Sequence, residues 1–339
     1  MTRLALIPGL VLVAALVGFG ASDPTGHVGG VAVDLGGTRL AIDLNGRVVP
    51  AGAVRATAAR RVVVSPDGHW RAVLDLPGVS GNTGTVSIGR RAAGSPLRIV
   101  ERHLYAGTAA VAWSPDSRWL ALTEWVPHLL SAVAVGTDGR RQVLAAPFCG
   151  DFTSGSAWAP SGDRIALGVP APHTGCGKSV NLRIRSVEGG TAAVVATGIS
   201  GVPVWSADGR WIATSGGHAE VMRADGTHRR DLGGRLVAWS PRGHVLAVID
   251  QQARTLSVGS AAGTIGIVDH SVGGTLFPSF SPDGHLIAYA RDDGIVIGRV
   301  AERSVVTVVP ASNVVLGRLA WARDGRSLRV DAQALRQSD

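Results

Sequence analysis

Pro278-Ser279-Phe280-Ser281-Pro282-Asp283-Gly284-His285-Leu286-Ile287-Ala288-Tyr289 is the stretch that decides the fold, because the chain repeats it. Aligned on the bulky residue before the Ser, copies start at Val64, Trp113, Trp158, Trp205, Trp239, Phe280 and Trp321, spaced by 49, 45, 47, 34, 41 and 41 residues. A turn Gly recurs four positions after the anchor at Gly68, Gly162, Gly209, Gly243, Gly284 and Gly325, with Ser117 as the exception. An Ala recurs eight positions after it at Ala72, Ala121, Ala166, Ala213, Ala247 and Ala288, and only the last copy breaks the rule, with Arg329. Pro presets φ for the turn, Asp accepts from backbone N–H groups, and Gly takes the left-handed conformation that closes a short hairpin. The flanking runs are apolar on both faces, as in strands sandwiched between neighbouring sheets. A second turn signal follows in the units, as at Thr137-Asp138-Gly139, Glu188-Gly189-Gly190, Ala224-Asp225-Gly226 and Ala261-Ala262-Gly263. Two hairpins per unit at this spacing, with no helical period after the N-terminus, predict an all-β, seven-bladed β-propeller of four-stranded antiparallel blades.

The motif Trp-Ser-Pro-Asp-Gly-x-x-Leu/Ile-Ala resembles the repeat of the TolB-type propeller family, a relative of the WD-type propellers. The resemblance runs over residues 30–333 and concerns the propeller portion only, because the α/β domain that precedes the family's propeller has no matching stretch here. It implies the fold. It does not imply one function, because this fold hosts many.

Outward from the repeat, the termini come next. The last copy runs out of chain after Val330, while within Gly30–Leu44 the run Val31–Ile42 can be laid on the outer hairpin Val133–Leu144, which sets Gly36-Gly37 on the turn. The N-terminal hairpin is therefore expected to complete the last blade and close the ring. An eighth blade anchored at Val33 is the alternative, and it would leave an open edge. Residues 4–21 carry no charge and follow Arg3, which reads residues 1–22 as a signal peptide or an N-terminal membrane anchor. A linker over 23–29 and a polar tail over 334–339 flank the single propeller domain. The implied location is exported: periplasmic, cell-envelope or secreted.

Of 33 basic residues only Lys178 is a lysine, and the formal charge is +8. The arginines are scattered, so nucleic acid is not an expected partner, whereas an anionic cell-wall polymer or an envelope protein is. Membrane contact is expected only through the N-terminal segment, and the chain is read as a monomer. Irregular polar sequence collects in the loops between the second and third strands of each unit, opposite the Pro-Asp-Gly turns. Glu124, Trp125, His128, His173, His218, Asp250, Arg291 and Asp292 form the candidate binding face. His128, His173 and His218 with Glu124 are the residues a divalent metal would use, but neither spacing nor an adjacent ligand pair supports a site, so no cofactor is expected. Cys149 and Cys176 flank the same loop region and are expected to pair as a disulfide in an oxidising compartment.

Enzyme signatures are absent: there is no Gly-x-Ser-x-Gly elbow and no His-Glu-x-x-His, and Gly177-Lys178-Ser179 lacks the first Gly of a phosphate loop. No catalytic residue is assigned. The leading reading is a non-enzymatic binding or scaffolding module. The alternatives are a propeller enzyme of the polysaccharide lyase or lactonase type with a loop-face metal, and a membrane-anchored sensor ectodomain.

Overall fold

The computed structural model describes residues 39–42, 48–51, 60–75, 83–105, 111–126, 129–149, 156–170, 180–215, 217–272, 278–291, 293–310 and 314–334. Strands and turns make up these residues, and there is no helix among them. The sheets follow the motif copies and are named here by their anchors. The Trp158 sheet runs Ser156–Trp158, Arg164–Pro170, Val180–Ser186 and Ala193–Ile199 in chain order, all antiparallel. The Trp205 sheet has Val202–Trp205, Trp211–Ser215, Glu220–Arg223 and the short Arg230–Asp231. The Trp239 sheet has Leu236–Trp239, Val245–Asp250, Thr255–Ser260 and Ile265–Asp269. The Phe280 sheet has Ser279–Phe280, Leu286–Arg291, Gly294–Arg299 and Ser304–Pro310.

The Val64 copy builds Arg60–Val64, Trp70–Asp75, Thr83–Arg90 and Arg98–Tyr105, and the Trp113 copy builds Val111–Trp113, Trp119–Val126, Leu129–Gly136 and Arg141–Cys149. A single bridge, Leu104 to Glu124, joins these two meanders. Four-stranded antiparallel meanders in series are the blade architecture of a propeller. The chain divides into two compact units, Ala56–Arg235 and the remainder, each with its own core clusters.

The termini differ from the expectation in detail. Arg39–Ile42 pairs with Val48–Ala51, a hairpin that extends beyond the stretch laid on the outer hairpin of the Trp113 copy. The turn expected at Gly36-Gly37 lies outside the described residues. Val314–Trp321 pairs with Leu328–Ala334, and each of these two hairpins is a two-stranded sheet among the described residues.

Each conserved-looking slot of the repeat has a physical cause. The Ala slot is sealed: Ala72, Ala121, Ala166, Ala213, Ala247 and Ala288 are 0 or 1% exposed, so a larger side chain has nowhere to go. The Ser hydroxyl closes the turn by accepting from the first N–H of the next strand, at 2.9 Å for Ser65–Trp70, Ser114–Trp119, Ser206–Trp211 and Ser281–Leu286. It also donates to the turn carboxylate of Asp67, Asp116, Asp208 or Asp283. At Gly284 the glycine is required twice, by its φ of 75° and by the neighbouring turn, since a Cβ there would lie 2.6 Å from Ser240 Oγ.

The anchor tryptophans do more than fill space. In four of the five the indole N–H donates to the carbonyl just before the preceding anchor: Trp113 to Val63 at 3.1 Å, Trp158 to Ala112 at 2.9 Å, Trp205 to Ala157 at 2.9 Å and Trp321 to Ser279 at 2.8 Å. Trp113 and Trp205 are buried, and Trp158, Trp239 and Trp321 are half-buried, so the bond to the carbonyl is kept at both degrees of burial wherever it is seen.

Candidate functional site

At the end of the sheets opposite the Ser-Pro-Asp-Gly turns, the polar residues engage partners close by. In the Trp205 sheet the loop between second and third strands is short, and Thr214 stabilises it from both sides. Its Oγ1 donates to the His218 carbonyl at 3.0 Å and accepts from the Glu220 N–H at 3.0 Å. The His218 N–H donates to Ser200 Oγ at 2.6 Å. This fixes the His218 backbone and presents the imidazole outward, with Nε2 2.9 Å from Asp231 Oδ2. Both side chains are more than half exposed, at 56% and 60%. The Gly233 N–H, above all, and the charge of His218 hold the Asp231 carboxyl below its ordinary range. Beside this dyad the Arg229 guanidinium grips Glu220 through two 3.0 Å bonds and caps the Thr197 carbonyl at 2.9 Å.

In the other unit the corresponding end carries a buried polar pair. The Tyr289 hydroxyl donates to Asp269 Oδ2 at 2.7 Å, and Asp269 Oδ1 accepts the Ser271 N–H at 2.7 Å. Tyr289 is 0% and Asp269 8% exposed. Burial, and then the bond to Asp269, push the phenol well above its ordinary range, so it is a fixed donor and no acid–base catalyst at neutral pH. Arg291 reaches Asp269 Oδ2 at 3.8 Å and Asp293 Oδ1 at 2.6 Å. Its bond to Asp293 raises the guanidinium and lowers the carboxylate.

Of the predicted binding-face residues, Glu124 pairs with Arg141 across its sheet, and Asp250 accepts from the Gln252 and Ala253 N–H groups to cap its own turn. His218 and Arg291 sit in the two clusters just described. The side chains of Trp125, His128, His173, Asp292, Cys149 and Cys176 lie outside the described residues, as do the signal-like segment and the linker. Among the described residues no three His, Cys, Asp or Glu side chains come together to hold a metal. Sequence reasoning missed Asp231, Glu220, Arg229, Tyr289 and Asp269. Asp269 meets Tyr289 across two motif copies, and neither spacing nor residue type marks such a pair.

No protein-family model matches the sequence, and no curated protein is similar to it. Solved structures are similar in fold. A eukaryotic initiation factor structure matches with a TM-score of 0.57 at 14% identity, over 85% of this chain and 75% of that one. A 6-phosphogluconolactonase candidate from Bacteroides fragilis matches with a TM-score of 0.50 at 13% identity, over 91% of this chain and 99% of that one. TolB from Acinetobacter baumannii overlaps more loosely, with a TM-score of 0.42 at 14% identity over 81% and 76% of the two chains. At these identities the likeness concerns the fold.

Proposed function

We propose that this chain is an exported, non-enzymatic binding or scaffolding module that engages an envelope protein or anionic cell-wall polymer through the strand ends opposite its Ser-Pro-Asp-Gly turns. The observation that carries the reading is the His218–Asp231 dyad, more than half exposed, beside the bidentate Arg229–Glu220 pair. Exposed charges held in fixed pairs form a recognition surface whose pattern, more than its strength, selects a partner. The charge-free residues 4–21 support export. The domain boundaries belong to the same reading, with two terminal hairpins, Arg39–Ala51 and Val314–Ala334, completing the seventh blade and residues 1–22 serving as signal or anchor. A monomer bearing the Cys149–Cys176 disulfide is part of it.

The test is capture of partners from an envelope fraction by the exported full chain and by its His218→Ala/Asp231→Ala variant. One partner retained by the wild type and lost by the variant supports the module. Equal capture by both removes this surface from the reading. One observation favours an enzyme instead: an imidazole 2.9 Å from a carboxylate is the arrangement of an oriented general base. Turnover of an oligogalacturonate or a lactone that vanishes in the same variant would select that reading, and a stoichiometric divalent metal in the purified protein would strengthen it.

A further inference from the structure

At the turn end of the Trp239 and Phe280 sheets lies a groove of about 410 Å³, lined by Val245, Val258, Ser260, His285, Val300 and Arg303 among others. Its origin is visible in the repeat. Six positions after the anchor, three copies place a tryptophan and cover it with a guanidinium. Arg90 lies over Trp70 at 4.5 Å, Arg140 over Trp119 at 5.0 Å and Arg223 over Trp211 at 5.5 Å. In two of these the arginine is the strand partner of the tryptophan, Trp70 with Arg90 and Trp211 with Arg223. The Trp239 copy keeps the backbone register and omits both side chains, for its pair is Val245 with Ser260. The slot that an indole and a guanidinium fill elsewhere is left as a groove.

A guanidinium is nevertheless at hand. Arg303, in the outer turn of the Phe280 sheet, lines the groove, and no carboxylate pairs with it among the described residues. His285 stands on the same rim, while Asp283 beside it is engaged by the Ser281 hydroxyl and the His285 N–H. The floor is aliphatic, from Val245, Val258 and Val300, and the two ionisable side chains lining the groove are both bases. The volume lies within the range of small-molecule sites, roughly 300–1,000 Å³. We infer that this groove binds a small aromatic acid, its ring lying where the missing indole would lie and its carboxylate meeting Arg303 and His285. Ring-on-valine contact and guanidinium over the ring supply the attraction, and the carboxylate supplies the orientation.

Indole-3-acetate is the probe, titrated calorimetrically into the full chain. Saturable binding is expected, weakened about tenfold or more in Arg303→Gln and abolished in Val245→Trp, which restores the indole of the other copies. Ala301→Phe, a substitution on the exposed rim that plugs the groove from outside, is expected to abolish binding even if Val245→Trp does not fold. Indole lacking the carboxylate is expected to bind at least tenfold more weakly than the acid. No binding at millimolar acid, binding that survives the rim plug, or equal binding of indole would each overturn the inference.

Discussion

The Trp205 sheet and the Phe280 sheet are built on one plan and solve it differently. In the first, the anchor indole donates to the Ala157 carbonyl, Trp211 sits under Arg223, and the far end carries an exposed His–Asp dyad. In the second, the anchor is Phe280, which has no donor for the Ala238 carbonyl that its place in the repeat sets opposite, and Leu286 replaces the second tryptophan. The same sheet compensates at the far end with the buried Tyr289–Asp269 bond and Arg291. The repeat therefore specifies volume more strictly than hydrogen bonding. Where the junction hydrogen bond is lost, polar cohesion is found at the other end of the strands.

The largest effect separating the two is expected from Trp205→Ala. The ring is 8% exposed, and its loss removes both a buried aromatic and the bond to Ala157. Large-to-small changes of this kind cost about 3–5 kcal/mol. A fall of that size is expected in the urea midpoint, read by tryptophan fluorescence and circular dichroism, and a loss under 1 kcal/mol would show that the anchors are interchangeable filler.

On the other sheet, Tyr289→Phe keeps the ring and deletes one hydroxyl. Asp269 Oδ2 then faces the Arg291 guanidinium at 3.8 Å, too far for a hydrogen bond, and stays buried. A buried acceptor stripped of its partner costs about 1–3 kcal/mol. Urea unfolding of this variant checks the estimate, and an unchanged midpoint would mean that the polar link does not hold these sheets.

The reciprocal swap is smaller. Phe280→Trp is expected to stabilise by about 0.5–1 kcal/mol, the usual net value of one hydrogen bond, by giving the Ala238 carbonyl its donor. Half-burial of Trp158, Trp239 and Trp321 shows that this slot leaves room at its rim for the second ring. Thermal melting of the variant would read it, and a lowered midpoint would show that the Phe280 junction has already tightened around the smaller ring.

Much of this architecture was legible from residues because turn chemistry is local. Pro, Asp and Gly act within four positions, and the Ala and anchor slots repeat often enough to reveal a packing constraint. At the N-terminus the alignment of residues 31–42 with the outer hairpin of the Trp113 copy did not single out Val48–Ala51, the strand that Arg39–Ile42 pairs with, because strand pairing is a tertiary fact that no local signal carries. At the candidate site His218 and Arg291 were found as loop residues, but their partners were not. Asp231 lies in an outer strand and Asp269 in a different motif copy, and contacts across copies leave no mark in one sequence.

The smallest effect concerns the turns themselves and separates the local part of the plan from the rest. The Ser65 hydroxyl, first, and the His69 N–H hold the Asp67 carboxyl at about 2 rather than 3.8. Both donors belong to the turn, so the shift needs no neighbouring sheet. A carboxylate whose folded value is depressed adds stability that is present above pH 3.8 and lost as pH falls through about 2. The Asp67 side chain is open to solvent, so little global destabilisation accompanies its protonation. NMR titration of its carboxyl carbon is expected to show a midpoint near 2 in the wild type, moving toward 3.8 in Ser65→Ala. Asp283, with the corresponding Ser281 and His285 donors, is also lowered but is partly opposed by burial, so its midpoint is expected above that of Asp67. If both carboxyls titrate together at the ordinary value, the turn hydrogen bonds are not persistent in solution, and the regularity of the repeat at this end owes more to packing than to turn chemistry.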